Sequence, residues 1–309
     1  MTCAYFNGIV FRGEIGNVTG DAARYRIDDL RRLAADLGSR LGLPPARGAA
    51  LAKHLLWFDA IGARSAGFAR LPSWLDRLEL GEFEPDSEGK IGQEHASTAQ
   101  LSAGRGLPPI VLDRAAEVAG QKARDTGLGL VRVSGLLPGG PAAPIAAALA
   151  IGPLVGLVLG PGPEQAIALP TAEGLPLVYD SILEVDQGER PEAEANDDRE
   201  PIATDLAGLV APWALLAEPG EVIVVALAVS ALEPLSSFQE RVSAACEVRG
   251  DRRVGPHSSG WLAPREWEAR RRAVREHGLG LPSAVEEALR KRAEAAGLSF
   301  PSALPSTPG

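Results

Sequence analysis

The chain contains 309 residues, of which 45% are hydrophobic and 23% charged, and this composition is typical of a soluble globular protein. The formal net charge of −9 argues against a nucleic-acid-binding protein, which needs a basic face. The two cysteines, Cys3 and Cys246, are too few for a disulfide framework or a four-cysteine zinc site, and the four histidines lack metal-ligand spacing. No metal site is therefore predicted.

No targeting signal is recognised in the sequence, and we therefore expect a cytoplasmic protein. The N-terminus has no basic region followed by an apolar run, so no signal peptide is predicted. The most apolar stretch, residues 142–160, is interrupted by Pro144, Pro153 and several glycines, and we interpret it as a buried helix followed by a buried strand rather than a membrane span. A small-molecule substrate is expected, with neither a membrane nor a nucleic acid as partner.

Hydrophobic periodicity and turn residues predict helices at both ends of the chain and alternating helices and strands between them. Asp28 or Asp29 is predicted to cap the first helix, and Ser283 with Glu286 forms a predicted capping box for the last. Helices are predicted over residues 30–41, 45–56, 74–78, 113–126, 144–151, 236–248, 264–277 and 283–297. Strands are predicted over residues 128–133, 154–159, 166–169, 175–179 and 221–229.

This order of elements predicts a mixed α/β fold. One composition break falls at residues 189–201, which hold six acidic residues and two arginines and are interpreted as a solvated loop. Residues 205–217 return to apolar character. The predicted organisation is an extension over 1–24, one domain over 25–297 (helical 25–90, α/β core 91–235, helical 236–297), and a flexible tail over 298–309.

Catalytic motifs with a fixed spacing are absent from the sequence. There is no G-x-G-x-x-G after a strand, no P-loop, no H-E-x-x-H and no G-x-S-x-G. Ser87 and Lys90 have S-x-x-K spacing but lie in a turn-like context. His54 and His277 fall on predicted helices and are interpreted as structural, while His257 is interpreted as part of a surface turn.

Several segments, taken in order, resemble the malate/L-lactate dehydrogenase family that lacks a Rossmann domain and includes ureidoglycolate dehydrogenase and ketimine reductases. The likeness covers residues 30–179 and resumes over 218–298. The matching segments are Leu41–Pro44, Asp59–Gly62, Ser65–Pro72, Ala123–Gly129, Ala166–Thr171, Leu177–Asp180 and Gly278–Pro282. The resemblance implies a mixed-sheet core with helical ends and a homodimer with sites near the subunit interface.

The resemblance also locates the redox residues, and the sequence departs from the family there. Family members use two histidines together with an arginine and an aspartate. The histidine positions are occupied by Ala66 and Leu136, whereas Arg70 and Asp180 match. Hydride transfer to a carbonyl needs a proton partner near the oxygen, and neither Ala nor Leu supplies one.

The segments that hold the dinucleotide in the family also differ. The family's "GtNP" loop corresponds only to residues 161–165, and its "GGhKGyGL" segment has no counterpart. The acidic residues 189–201 occupy that region, and their negative charge would repel a pyrophosphate. From these departures we expect no nicotinamide cofactor.

The favoured interpretation is a repurposed enzyme that performs cyclisation, isomerisation or elimination without a cofactor. Arg70 would anchor a carboxylate or enolate oxygen, Asp180 would act as acid or base, and Ser134 would orient an oxygen. Ser65, Arg64 and Leu136 are the predicted substrate-binding residues. One alternative is a divergent NAD- or NADP-dependent oxidoreductase of 2-hydroxy acids or cyclic imines. A second is a non-catalytic binding or scaffold protein in which Arg70 and Asp180 form a structural ion pair.

Overall fold

A computed structural model describes residues 23–63, 66–160, 165–180, 220–250 and 261–305. Its helices are α1 (Ile27–Arg40), α2 (Pro45–Ile61), α3 (Leu71–Glu79), α4 (Pro108–Thr126), α5 (Ala142–Ala150), α6 (Leu235–Gly250), α7 (Pro264–His277) and α8 (Ser283–Ala295). Its strands are β1 (Arg24–Tyr25), β2 (Lys90–Glu94), β3 (Thr98–Ser102), β4 (Leu128–Ser134), β5 (Leu154–Leu159), β6 (Gln165–Leu169), β7 (Leu177–Asp180), β8 (Val222–Ala228), β9 (Trp261–Leu262) and β10 (Leu279–Gly280). Short 3-10 turns occur at Phe68–Arg70 and Val229–Ala231.

The centre of the fold is a mixed eight-stranded sheet in the order β2-β3-β4-β8-β5-β6-β7-β9. The β3 and β4 strands are parallel, and every other neighbouring pair in the order is antiparallel. It follows that β3, β4, β5 and β7 all run in the same direction. Their carboxyl ends, which include Ser134 and Asp180, lie at one edge of the sheet. The mixed α/β fold predicted from sequence is confirmed.

The described part of the molecule contains two large hydrophobic cores and a smaller cluster formed by Leu159, Ile167 and Ile223. The larger core lies between the sheet and the helices α4 and α5, which are rich in small apolar side chains that allow close packing on the strands. The second core joins the N-terminal helices α1–α3 to α8, and it includes fully buried Leu30, Leu71 and Leu289. A two-stranded sheet of β1 and β10 ties the first described residues to the C-terminal helices.

The predicted helix caps are wrong. The N-cap of α1 is Arg26, and Asp28 and Asp29 lie in the first turn, where their charge complements the helix dipole. The N-cap of α8 is Pro282, and no side chain caps that helix, so Ser283 is the first helical residue. In both cases the N-cap residue has a ψ near 135–140° and lies one to three residues before the predicted polar cap, so the helix starts earlier than the polar side chain suggests.

The strands β2 and β3 were not predicted, because their exposed residues alternate with few large apolar side chains. The solvated loop over 189–201, the apolar segment 205–217 and His257 lie outside the described residues. Within the described residues, no helix is long and apolar enough to cross a membrane.

Candidate functional site

A small pocket lies where the two hydrophobic cores meet. Phe58 and Ala66 belong to the larger core, whereas Leu55 and Trp74 belong to the second. Its volume is about 30 Å³, enough for one or two water-sized groups, so it admits the polar end of a small molecule. The residues that line it are His54, Leu55, Phe58, Ala66, Arg70, Trp74, Pro109, Gly139, Gly140 and Pro141.

Arg70 reaches this pocket from the 3-10 turn Phe68–Arg70, and α2 holds that turn in place. The Asp59 carboxylate on α2 is buried and accepts a hydrogen bond from the backbone N–H of Phe68 at 2.6 Å. Gly67 makes this approach possible, because a Cβ there would lie 2.4 Å from Asp59 Oδ1. The contact between Asp59 and the turn at Gly67 and Phe68 therefore positions the Arg70 guanidinium group at the pocket.

The end of α2 is also held from a distant part of the chain. The α2 helix ends at Gly62, whose φ of 90° lies in the left-handed region that favours glycine. The Arg270 guanidinium on α7 donates a hydrogen bond to the carbonyl of Ile61. The C-terminal helices thus contribute to the site without reaching the pocket.

The structure places His54, which sequence reasoning assigned to a structural role, in the same pocket as Arg70. Its Nε2 lies 2.8 Å from Oδ2 of Asp113 on α4, and its side chain is only 2% exposed. The other ring nitrogen, Nδ1, is buried and has no hydrogen-bond partner among the described residues. The only sequence signal was weak: His54 lies one helical turn before Phe58, but nothing in the spacing links it to Asp113.

The remaining predicted site residues lie elsewhere or adjoin the pocket. Ser134 and Asp180 end β4 and β7 at the same edge of the sheet, yet four inter-strand spacings, roughly 19 Å, separate them. Neither lines the pocket. Leu136 adjoins it, because its Cδ2 atom lies 3.7 Å from the place that a Cβ on Gly140 would take. Arg64 and Ser65 lie outside the described residues.

Asp180 differs from the other candidates because its side chain is fully buried at the end of a strand. Ser134 is only half-buried, and its backbone carbonyl accepts a hydrogen bond from Ala103. The described ranges contain no cluster of three or more histidine, cysteine or carboxylate side chains arranged to hold a metal ion.

Sequence comparison identifies the family. Residues 25–178 match the family model described as malate/L-lactate dehydrogenase, which confirms the resemblance. L-sulfolactate dehydrogenase of Methanocaldococcus jannaschii is 31% identical over 101 residues, or 33% of this chain and 29% of that protein. The alignment thus spans less than a third of that relative's length.

Solved structures share the fold over most of the chain. Malate dehydrogenase from Pyrococcus horikoshii matches with a TM-score of 0.74 at 20% identity, covering 92% of this chain and 99% of the other. The Δ1-piperideine-2-carboxylate reductase from Pseudomonas syringae matches with a TM-score of 0.62 at 17% identity, covering 89% and 100%. At these identities the likeness establishes the fold.

The expectations of a cofactor-independent cyclase and of no nicotinamide cofactor are wrong. The family that matches residues 25–178 and the relatives found by sequence are dehydrogenases, that is, oxidoreductases. The expectation rested on Ala66 and Leu136 at two aligned histidine positions, on the altered dinucleotide segments and on the acidic residues 189–201. Missing motifs do not exclude an activity, because residues that are distant in sequence can supply the same group: His54 brings an imidazole to the pocket from α2.

Proposed function

Because residues 25–178 belong to the malate/L-lactate dehydrogenase family, we propose that the protein is a nicotinamide-dependent oxidoreductase of small carboxylate substrates. Its substrates would be 2-oxo acids and the corresponding 2-hydroxy acids. The enzyme would be a homodimer that acts in the cytoplasm. The observation that carries this proposal is the position of Arg70 in a narrow pocket beside a buried imidazole.

Arg70 is suited to the carboxylate of such a substrate. A guanidinium group presents paired N–H donors that match the two oxygens of a carboxylate, and it keeps its charge at all working pH values. Arg70 is an exposed residue at the rim of a small pocket whose other lining residues include Leu55, Phe58 and Trp74, so a substrate can reach its guanidinium group from solvent. Residues Asp59 and Gly67 fix the direction from which the guanidinium enters.

The residues at the pocket fit the substrate side of nicotinamide chemistry: a fixed cation for the carboxylate and a titratable ring for the oxygen. A bound nicotinamide supplies hydride to the substrate carbon or accepts it. Residues 161–164, which belong to the counterpart of one dinucleotide segment, and the acidic residues 189–201, which occupy the region of the other, lie outside the described residues. We therefore assign no residue to the dinucleotide itself. Asp180, Ser134, Leu136, Ser65 and Arg64 remain proposed site residues.

The proposal is tested by incubating the full chain with NADH or NADPH and pyruvate, oxaloacetate, sulfopyruvate or Δ1-piperideine-2-carboxylate, and following loss of the reduced nicotinamide absorbance. Turnover of a 2-oxo acid is expected. Turnover of the cyclic imine alone would move the substrate class to cyclic imines, whereas no turnover of any compound would overturn the proposal.

The carboxylate role of Arg70 is tested by Arg70→Ala. We expect KM to rise about 10–100-fold, since a charge-assisted hydrogen bond is worth roughly 1.5–3 kcal/mol. Arg31→Ala is the matched control, because Arg31 is an exposed residue that pairs with Asp28 on the surface of α1. An unchanged KM in Arg70→Ala would remove Arg70 from the site.

A further inference from the structure

The His54–Asp113 pair is unusual among the buried polar groups of the described chain. Nε2 of His54 is paired with Asp113 at 2.8 Å, but Nδ1 is buried with no hydrogen-bond partner among the described residues. More than 90% of buried polar groups in proteins are paired, and an unpaired one costs about 1–3 kcal/mol. Because His54 also lines the pocket, its unpaired nitrogen is the polar atom of the ring that a bound ligand would satisfy.

His54 lies in the pocket that also contains Arg70 and Ala66. The resemblance places Ala66 at one of the two positions where family members have a histidine and this sequence has none. The ring of His54 enters the pocket from α2 instead.

We propose that His54 is the proton donor and acceptor of this pocket and that Asp113 is its positioning residue. The inference rests on the proposed function and deepens it. In the reducing direction, a bound reduced nicotinamide would supply the hydride to the substrate carbonyl carbon. The proton that the carbonyl oxygen then needs would come from Nδ1 of the His54 imidazolium, which becomes neutral. In the oxidising direction, neutral Nδ1 would accept the hydroxyl proton as the hydride leaves for the oxidised nicotinamide.

The hydrogen bond to Asp113 explains how the His54 ring can both donate and accept a proton. Its carboxylate holds the Nε2–H proton, which fixes the ring orientation and leaves Nδ1 to exchange a proton with the substrate. The Asp113 side chain is 30% exposed, whereas that of His54 is 2% exposed, so the pair connects the buried pocket to solvent. The charged groups that face the ring are Asp113 from α4 and Arg70 from the 3-10 turn.

The first experiment measures turnover of His54→Gln, which keeps a side-chain donor to Asp113 but cannot titrate near neutral pH. We expect kcat to fall 10²–10⁴-fold, the usual contribution of general acid–base catalysis, with loss of the limb of the pH–rate profile that His54 controls. Asp113→Asn should lower kcat less and shift that limb without removing it. The matched control is His95→Gln, because His95 is an exposed histidine that directly follows the edge strand β2 and does not line the pocket.

The second experiment reads the same group without turnover. Oxamate, an unreactive analogue of a 2-oxo acid, is titrated into each protein by calorimetry at pH 8 in two buffers of different ionisation enthalpy. The wild type and His95→Gln should take up a proton on binding, and His54→Gln should bind without uptake. Circular dichroism melting checks that His54→Gln remains folded.

The outcomes separate the two proposals. Unchanged kcat, pH profile and proton uptake in His54→Gln, in an enzyme that turns over, would overturn the inference and leave the proposed function standing. Proton uptake that depends on His54, with no turnover of any substrate, would support the pair and overturn the oxidoreductase. Failure of oxamate to bind the wild type would count against both. Loss of fold in His54→Gln moves the decision to His54→Asn and Asp113→Asn, which are read by the same two measurements.

Discussion

Two buried aromatic groups with carboxylate partners behave differently in this molecule, and the contrast separates packing from chemistry. Tyr25 joins β1 to the second core, where its hydroxyl interacts with Glu286 and Arg290 of α8 and its ring packs edge-on against Phe300. His54 has a carboxylate partner at Nε2, no partner at Nδ1 among the described residues, and a ring that lines the pocket. A polar group whose hydrogen bonds are all made stabilises the packing of two elements. A polar group with one hydrogen bond unmade at a pocket can act on a bound ligand.

The largest effect is expected in the region of Tyr25. Leu289 on α8 is fully buried in the second core, so Leu289→Ala should lower the free energy of unfolding by about 2–5 kcal/mol. Urea titration measures this loss. Because Leu289 does not line the pocket, kcat and KM of the folded fraction should stay unchanged. A fall in kcat at full folding would mean that the two regions are coupled.

A smaller loss of stability, with a large loss of activity, is expected at Gly67. A Cβ there would lie within 2.4–2.6 Å of three Asp59 carboxyl atoms, so Gly67→Ala must displace the turn that carries Arg70. We expect a destabilisation of roughly 1–3 kcal/mol and a raised KM. In the control Gly92→Ala, the nearest atom would lie 3.9 Å away, and neither quantity should worsen. Normal KM in Gly67→Ala would show that the turn does not set the position of Arg70.

The smallest effect is expected from removing the Tyr25 hydroxyl, and it depends on pH. Burial, reinforced by the hydrogen bond to Glu286, raises the pKa of Tyr25 from 10.0 to about 12. The raised pKa favours the neutral phenol in the folded state, so its stabilisation is complete below pH 10 and is lost between pH 10 and about 12.

Tyr25→Phe should therefore cost about 1 kcal/mol near neutral pH and flatten the loss of stability above pH 10. Urea midpoints of both proteins across that range provide the test. A wild type and a variant with parallel pH curves would contradict the raised pKa of Tyr25.

The fold was predictable because hydrophobic period and segment order reflect the sheet and the helices that cover it. The residues Asp59, Gly67 and Arg70 were recognisable as one motif, since a single turn brings them together. The pairing of His54 with Asp113 was not, because it joins two helices that are 59 positions apart and depends on how α2 crosses α4. Histidines counted at aligned positions, together with the altered dinucleotide segments, consequently led to the wrong conclusion about the cofactor.

The hydrogen bond from Arg270 to the Ile61 carbonyl has a consequence for the order in which the molecule matures on the ribosome. Donor and acceptor are 209 residues apart, so at ordinary translation rates Arg270 is synthesised roughly 10–40 s after Ile61. During this time the carbonyl at the end of α2 lacks that hydrogen-bond donor. Until then, the loop that leads to Arg70 has no support from α7. The support of the α2 end is thus completed only after Arg270 has been synthesised, and premature termination before Arg270 would leave this end without it.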